Sequence, residues 1–155
     1  MSLSLRPLSV DEFESWFSRV RDGYAADMTR DAGVEPEKAT AMAASQMDSL
    51  FPGHAPSPEQ LVYVVEADGE RVGELWLCDR DGPSQHALFI YFVGIDEEHR
   101  GKGYGKAAMK LAESEARRLG IDRIALNVFG KNEVARNLYR SLGYEENAVS
   151  MSKSL

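Results

Sequence analysis

The sequence predicts an α+β fold, a mixed sheet with helices on its faces, in one domain spanning residues 1–155. Three observations carry this expectation. β-branched and aromatic residues concentrate in LVYVVEA, RVGELWLC and HALFIYFVGI, and Asp68-Gly69 separates the first two as a hairpin turn would. Apolar residues recur at helical spacing in DEFESWFSRVRDGYAAD and EVARNLYRSL. The order of elements, β-α-α-β-β-β-α-β-α-β, places three strands in succession and is that of an α+β chain.

Each element has its own signal. SLSLRPL reads as a short first strand. Ser9 or Asp11 caps a helix over residues 11–27, which sets Phe13, Phe17, Val20 and Tyr24 on one face. A second helix over residues 35–50 takes Pro36 in its first turn, where a missing N–H costs nothing. FPGHAPSP, residues 51–58, is an irregular loop. Strands over residues 61–67 and 71–78 follow, with the turn between them extending into Glu70. HALFIYFVGI, residues 86–95, is a buried strand by length and composition. A glycine cluster then opens a helix to Leu119, closed by Gly120. IDRIALNVF, residues 121–129, is a further strand, and residues 133–142 a helix closed by Gly143. YEENAVSMSKSL completes the pattern as one or two final strands.

Composition narrows the function. A net charge of -7 lacks the broad basic face a nucleic-acid binder needs to displace counterions. MSLSLRPLSV has no apolar core of signal-peptide length, and the longest apolar run, residues 87–95, falls well short of the roughly 20 residues that cross a bilayer. A cytoplasmic protein with no membrane and no nucleic-acid partner is expected. The lone Cys78 sits in ELWLC as strand core, and His54, His86 and His99 have no metal-site spacing, so no metal is expected.

The acidic chain has one local exception, DEEHRGKGYGK, residues 96–106. It fails the Walker template, with Arg100 where the first glycine belongs and Ala107 where the hydroxyl belongs, and it fails the dinucleotide fingerprint at Lys106. A glycine turn between a strand and a helix start is nevertheless an anion site: bare amides converge, and the helix dipole adds about half a positive charge. Arg100, Lys102 and Lys106 supply counter-charges. The bland reading is a solvated basic turn balancing Asp96, Glu97 and Glu98.

Arg100-Gly101-Lys102-Gly103-Tyr104-Gly105 resembles the Arg/Gln-x-x-Gly-x-Gly/Ala signature of the GNAT superfamily of acyl-CoA-dependent N-acyltransferases. Asn132 to Tyr144, with Ala135, Tyr139 and Gly143, is similar to the family's Asn-x-x-Ala-x-x-x-Tyr-x-x-x-Gly-Phe, Tyr144 replacing the Phe. With LRPLSVDEFE and the MSKSL ending, the likeness covers most of the chain, and the helical pair and FPGHAPSP loop resemble a subgroup of small bacterial GNAT proteins.

The resemblance implies a GNAT fold: a single, mostly antiparallel sheet whose fourth and fifth strands splay around the pantetheine arm of acetyl-CoA. It implies Gly94 and Ile95 as backbone partners of that arm, and the amides of Gly101, Lys102, Gly103, Tyr104 and Gly105 as the pyrophosphate cradle. Asn132 would cap the last helix or bond to the arm. Spacing alone makes Tyr139 a core residue in the stripe Ala135, Leu138, Tyr139, Leu142, whereas the resemblance makes it the acid that protonates the departing thiolate. Glu74, with Glu66 or water as alternatives, is the candidate base for a primary amine on a small molecule or peptide. Acidic residues near the start (Asp11, Glu12, Glu14, Asp22, Asp27, Asp31) point weakly to a cationic acceptor. The acceptor groove is expected between the two N-terminal helices, the 51–58 loop and the last strands. A homodimer is a further expectation, since many relatives dimerise. The competing function is an acyl-CoA-sensing module without turnover.

Overall fold

A computed structural model describes residues 2–81 and 86–155. The elements are β1 (Leu3–Pro7), α1 (Val10–Ala32), α2 (Pro36–Leu50), β2 (Gln60–Ala67), β3 (Glu70–Asp81), β4 (His86–Ile95), α3 (Tyr104–Arg118), β5 (Ile124–Leu126) and α4 (Glu133–Ser141), with single 3-10 turns at Pro52–His54 and Glu97–His99. The strands form one sheet in the order β1-β2-β3-β4-β5. Neighbours are antiparallel as far as β4, and β5 runs parallel to β4.

Local chemistry explains most boundaries. Asp68 and Gly69 both take positive φ, 52° and 83°, as a two-residue primed turn requires. Ala67 therefore pairs with Glu70, and the turn does not extend into Glu70. Ser9 caps α1 in a reciprocal box with Glu12, and Gly33 at φ 68° stops it by donating to the Met28 carbonyl. The helix is thus longer than its apolar stripe suggests, and Trp16 and Met28 join its buried face while Tyr24 stays 37% exposed.

β3 divides the interior. Leu75 and Leu77 pack with Val65, Leu88, Ile90 and the Ala108, Met109 and Ala112 face of α3. Trp76, on the opposite side, packs with Phe13, Trp16 and Phe17 of α1 and with Met47 and Phe51. Helices consequently cover both faces.

Two features shape the site. Trp76 pairs with Phe92 and Leu77 with Ile90, so Tyr91 is an extra residue bulged out of β4. β5 pairs only with Leu88–Ile90 of β4, and the strands part where the bulge bends β4. β5 is accordingly three residues long, not the nine of IDRIALNVF. The final strands expected over residues 144–155 do not form: residues 144–155 carry no strand, with Val149 68% and Met151 89% exposed. A strand needs a neighbouring edge, and among the described residues this segment pairs with none.

Candidate active site

The turn before α3 is built by glycine. Gly101 and Gly103 take φ 76° and 80°, where an L side chain is strained, and a β-carbon on either would meet nothing within 4 Å. The space over the turn is open. Gly103 is the N-cap and provides no side-chain bond to the helix. The first helical bond runs from the Ala107 N–H to the Gly103 carbonyl at 3.1 Å, so the amides of Tyr104, Gly105 and Lys106 precede the helical ladder and converge at its positive end. Tyr104 is buried in the core at 8% exposure. Lys102 and Lys106 are exposed beside it. Arg100 reaches back, its Nε donating to the Ile95 carbonyl at 3.0 Å.

The edge of β4 leads into this turn. The Asp96 N–H donates across to the Val72 carbonyl at 2.9 Å. Peptide groups alternate sides along an antiparallel strand, so those of Gly94 and Phe92 face β3, and those of Val93 and Ile95 face the opening left by β5. The Gly94 carbonyl oxygen abuts Gly73, where a β-carbon would strike it. Of the two backbone partners expected on this strand, Ile95 lies on the open edge and Gly94 faces inward. With its carbonyl taken by Arg100, Ile95 presents its N–H.

α4 forms the other wall. Asn132 caps it, Oδ1 accepting from the Ala135 N–H at 3.2 Å. Tyr139 is half-buried against the core, its ring 6.0 Å from that of Tyr144, and burial pushes its phenol above the ordinary value. The neighbouring Tyr144 hydroxyl is buried without a hydrogen-bond partner, and burial raises its phenol strongly. Arg136 lies not free in solvent but donates to the Gly130 carbonyl, Glu133 and Glu146.

Glu74 is the one buried charged side chain among the described residues, 2% exposed. Arg19 of α1 approaches it at 2.7 Å and Arg71 at 2.8 Å, while Arg71 also holds Asp96 at 3.0 Å. A relay of four charges therefore runs from α1 across β3 to the residue that enters the turn. Arg19, Arg71 and Asp96 carry no motif that would single them out. Glu66 pairs with Arg6 at 2.8 Å. Several of the N-terminal acids are likewise taken locally: Glu12 by Arg6, Asp22 by Arg21, Asp27 and Asp31 by Arg30. They offer less to a cationic acceptor than their number suggests. At the bulge, a cleft of about 390 Å³ is lined by Leu50, Pro52, Gln60, Asp79, Arg80 and Tyr91 among others; Arg80 donates to the Tyr91 hydroxyl at 2.8 Å.

The model of the Acetyltransferase (GNAT) family matches residues 15–144. The chain belongs to the GNAT family of acetyltransferases. This GNAT chain is 33% identical to the uncharacterized N-acetyltransferase YycN of Bacillus subtilis over the whole of both chains. The crystal structure of YycN superposes with a TM-score of 0.90 at 32% identity, covering 99% of each chain. A predicted acetyltransferase of Clostridium acetobutylicum, solved with acetyl-CoA, shares the fold at a TM-score of 0.61 and 13% identity, over 99% of this chain and 96% of that one. Within the GNAT chain, no group of His, Cys, Asp or Glu that could hold a metal occurs among the described residues. No described helix is long and apolar enough to cross a membrane.

Proposed function

We propose that this acetyltransferase transfers an acetyl group from acetyl-CoA to a primary amine by direct attack within a ternary complex. The observation that carries this reading is the freed edge of β4 running from the Tyr91 bulge into a glycine turn with open space above it. An extended amide-bearing arm finds the outward peptide groups of Val93 and the N–H of Ile95, and a pyrophosphate finds the amides of residues 101–106 with Arg100, Lys102 and Lys106 beside them. The cofactor supplies an activated acetyl thioester. Asn132 holds the start of the α4 wall.

The chain's own groups have distinct tasks. The Ile95 N–H donates toward the charge that develops on the reacting carbonyl oxygen. Tyr139, kept protonated by burial, gives its proton to the sulfur as the carbon–sulfur bond breaks. The amine, carried by a small molecule or a peptide, enters from the cleft at Tyr91, Arg80 and the 51–58 loop, on the face covered by α1 and α2. Its proton passes to water. Glu74 is assigned to anchoring: its two carboxylate oxygens already accept from Arg19 and Arg71. The reading is tested by measuring CoA release from acetyl-CoA with a panel of primary amines. Turnover with at least one amine supports it, whereas binding of acetyl-CoA without turnover across small-molecule and peptide amines would favour a sensing module.

A further inference from the structure

The cleft beside the β4 bulge holds a cation that has no counter-ion. Arg80 is half-buried there, with Leu50 and Pro52 lining the same cleft. Its guanidinium carbon lies 3.8 Å above the centre of the Phe89 ring and 5.3 Å from that of Tyr91, and Nη1 donates to the Tyr91 hydroxyl at 2.8 Å. Tyr91 in turn stacks on the buried Trp76 ring at 4.6 Å. The charged head is therefore fixed by aromatic packing and not by an acid. Elsewhere in this acidic chain arginines take carboxylates, as Arg6, Arg19, Arg30, Arg71 and Arg118 do. Arg80 pairs with none among the described residues, although Asp79 and Asp81 flank it in sequence. The pleat gives the reason. Successive side chains of a strand point to opposite faces, so Cys78 and Arg80 share a face with their partners Phe89 and Ala87, while Asp79 and Asp81 stand on the other. There the two acids bracket His86, whose Nε2 is 2.7 Å from Asp79 and Nδ1 2.9 Å from Asp81. Glu59, also lining the cleft, is occupied by the Ser57 hydroxyl at 2.8 Å.

We propose that the cleft selects acceptors bearing a carboxylate as well as the primary amine, an amino acid or a short peptide with a free C-terminus, and that Arg80 is the residue that reads the carboxylate. A guanidinium stacked by its face still offers N–H groups along its edge, a planar fork that matches two carboxylate oxygens. The Tyr91 hydroxyl, having accepted from Arg80, keeps its own proton to donate beside that fork. A carboxylate brings the single negative charge that one guanidinium balances. A phosphate brings nearly two, and among the described residues no lysine lines the cleft to meet the second. This inference rests on the acetyl-transfer reading, whose acceptor it specifies.

The test compares matched acceptors with the full chain: each amino acid against the amine that lacks only its carboxylate, each dipeptide against its C-terminal amide, and aminophosphonates as the phosphate-like arm. CoA release gives kcat/KM for each, and calorimetric titration of the CoA-loaded protein gives the affinity of the same compounds. The carboxylate-bearing member of the preferred pair is expected to lead by about tenfold or more in kcat/KM and in affinity, as a charge-assisted hydrogen bond would give. Arg80→Gln should bring that ratio close to one, chiefly through KM, and Arg80→Lys, which keeps the charge and loses the fork, should retain only part of it. The wild-type comparison stands by itself if a variant fails to fold. Equal use of both members of every pair, a lead for the aminophosphonates, or a ratio that survives in Arg80→Gln overturns the proposal. Acetyl-CoA bound without turnover on any amine overturns the acetyl-transfer reading instead, and the titration then decides for Arg80: a carboxylate preference lost in Arg80→Gln supports it, and no preference overturns it.

Discussion

Tyr139 and Glu74 show how far a residue's neighbourhood settles its chemistry. Burial lifts the Tyr139 phenol, so it remains protonated at neutral pH and can serve a leaving thiolate of ordinary pKa about 8.5. Tyr139→Phe keeps the ring and its packing. The expected result is a stability change of at most about 1.5 kcal/mol, acetyl-CoA affinity within a few-fold of wild type, and kcat lower by roughly 100-fold when proton transfer is the slow step. Wild-type kcat across a pH series, with chemistry rate-limiting, would remove Tyr139 from the mechanism. Glu74→Gln separates anchor from base. As an anchor, its loss leaves Arg19 and Arg71 facing a neutral amide and lowers stability by about 1–3 kcal/mol. A thermal melt unchanged from wild type, combined with a collapse of kcat, would instead make Glu74 the base. The place of Tyr139 on the core side of α4 was readable from its helical stripe. The partners of Glu74 were not, because Arg19 stands 55 residues away and only the packing of α1 on β3 brings it near.

At the scale of elements, the glycine turn and the start of α1 each make a prediction. A side chain at Gly103 is strained at φ 80° and fills the open space over the turn, so Gly103→Val is expected to abolish the thermal shift produced by acetyl-CoA. Gly105→Ala is the control. Its added methyl would lie 3.8 Å from Leu138 and 4.0 Å from Ile95, an ordinary inward contact, and a helical alanine is favoured over glycine by up to about 1 kcal/mol. The shift should survive there; its loss in both variants would point to general damage to α3. Glu12 at the α1 cap is pushed down to about 2, first by hydrogen bonds from Arg6 and then by Ser9. A carboxylate with a lowered folded pKa stabilises above its unfolded value, about 4.3, and that contribution disappears as pH falls toward 2. Melting temperature measured from pH 5 to pH 2 should therefore fall less steeply in Glu12→Gln than in the wild type. Equal slopes would mean that the pair with Arg6 contributes nothing in solution.

Across the whole molecule, the ligand site we propose spans the sheet edge and the turn together. A ligand bound only to the folded chain stabilises it by about 2.7 kcal/mol at 100 times its dissociation constant. Acetyl-CoA, touching both the β4 edge and the turn, should raise the melting temperature well above the shift given by ATP at equal concentration, since ATP carries phosphates without an arm for Val93 and Ile95. Equal shifts would show that the turn recognises phosphate alone. The aromatic cluster of Phe13, Trp16, Phe51 and Trp76, with ring centroids 5.3–5.8 Å apart in its closest pairs, ties α1 and α2 to β3 beside the cleft at Tyr91.

The sequence by itself determined what depends on near neighbours. The Asp68-Gly69 turn, the Ser9 cap, the glycine turn with its cations and the stripe of α4 each need only a few adjacent residues, because dihedral preferences and capping bonds act within one or two turns of chain. Tertiary structure decided the rest. The Tyr91 bulge follows from how β3 and β4 align, and it is this register that turns Ile95 toward the cleft and Gly94 away from it. The pairing of Arg19, Glu74, Arg71 and Asp96 depends on which charges the fold buries side by side. Residues 147–155 have the pattern of a strand and no strand partner among the described residues, since a pleated segment becomes a strand only where another edge meets it, and no local preference supplies that edge.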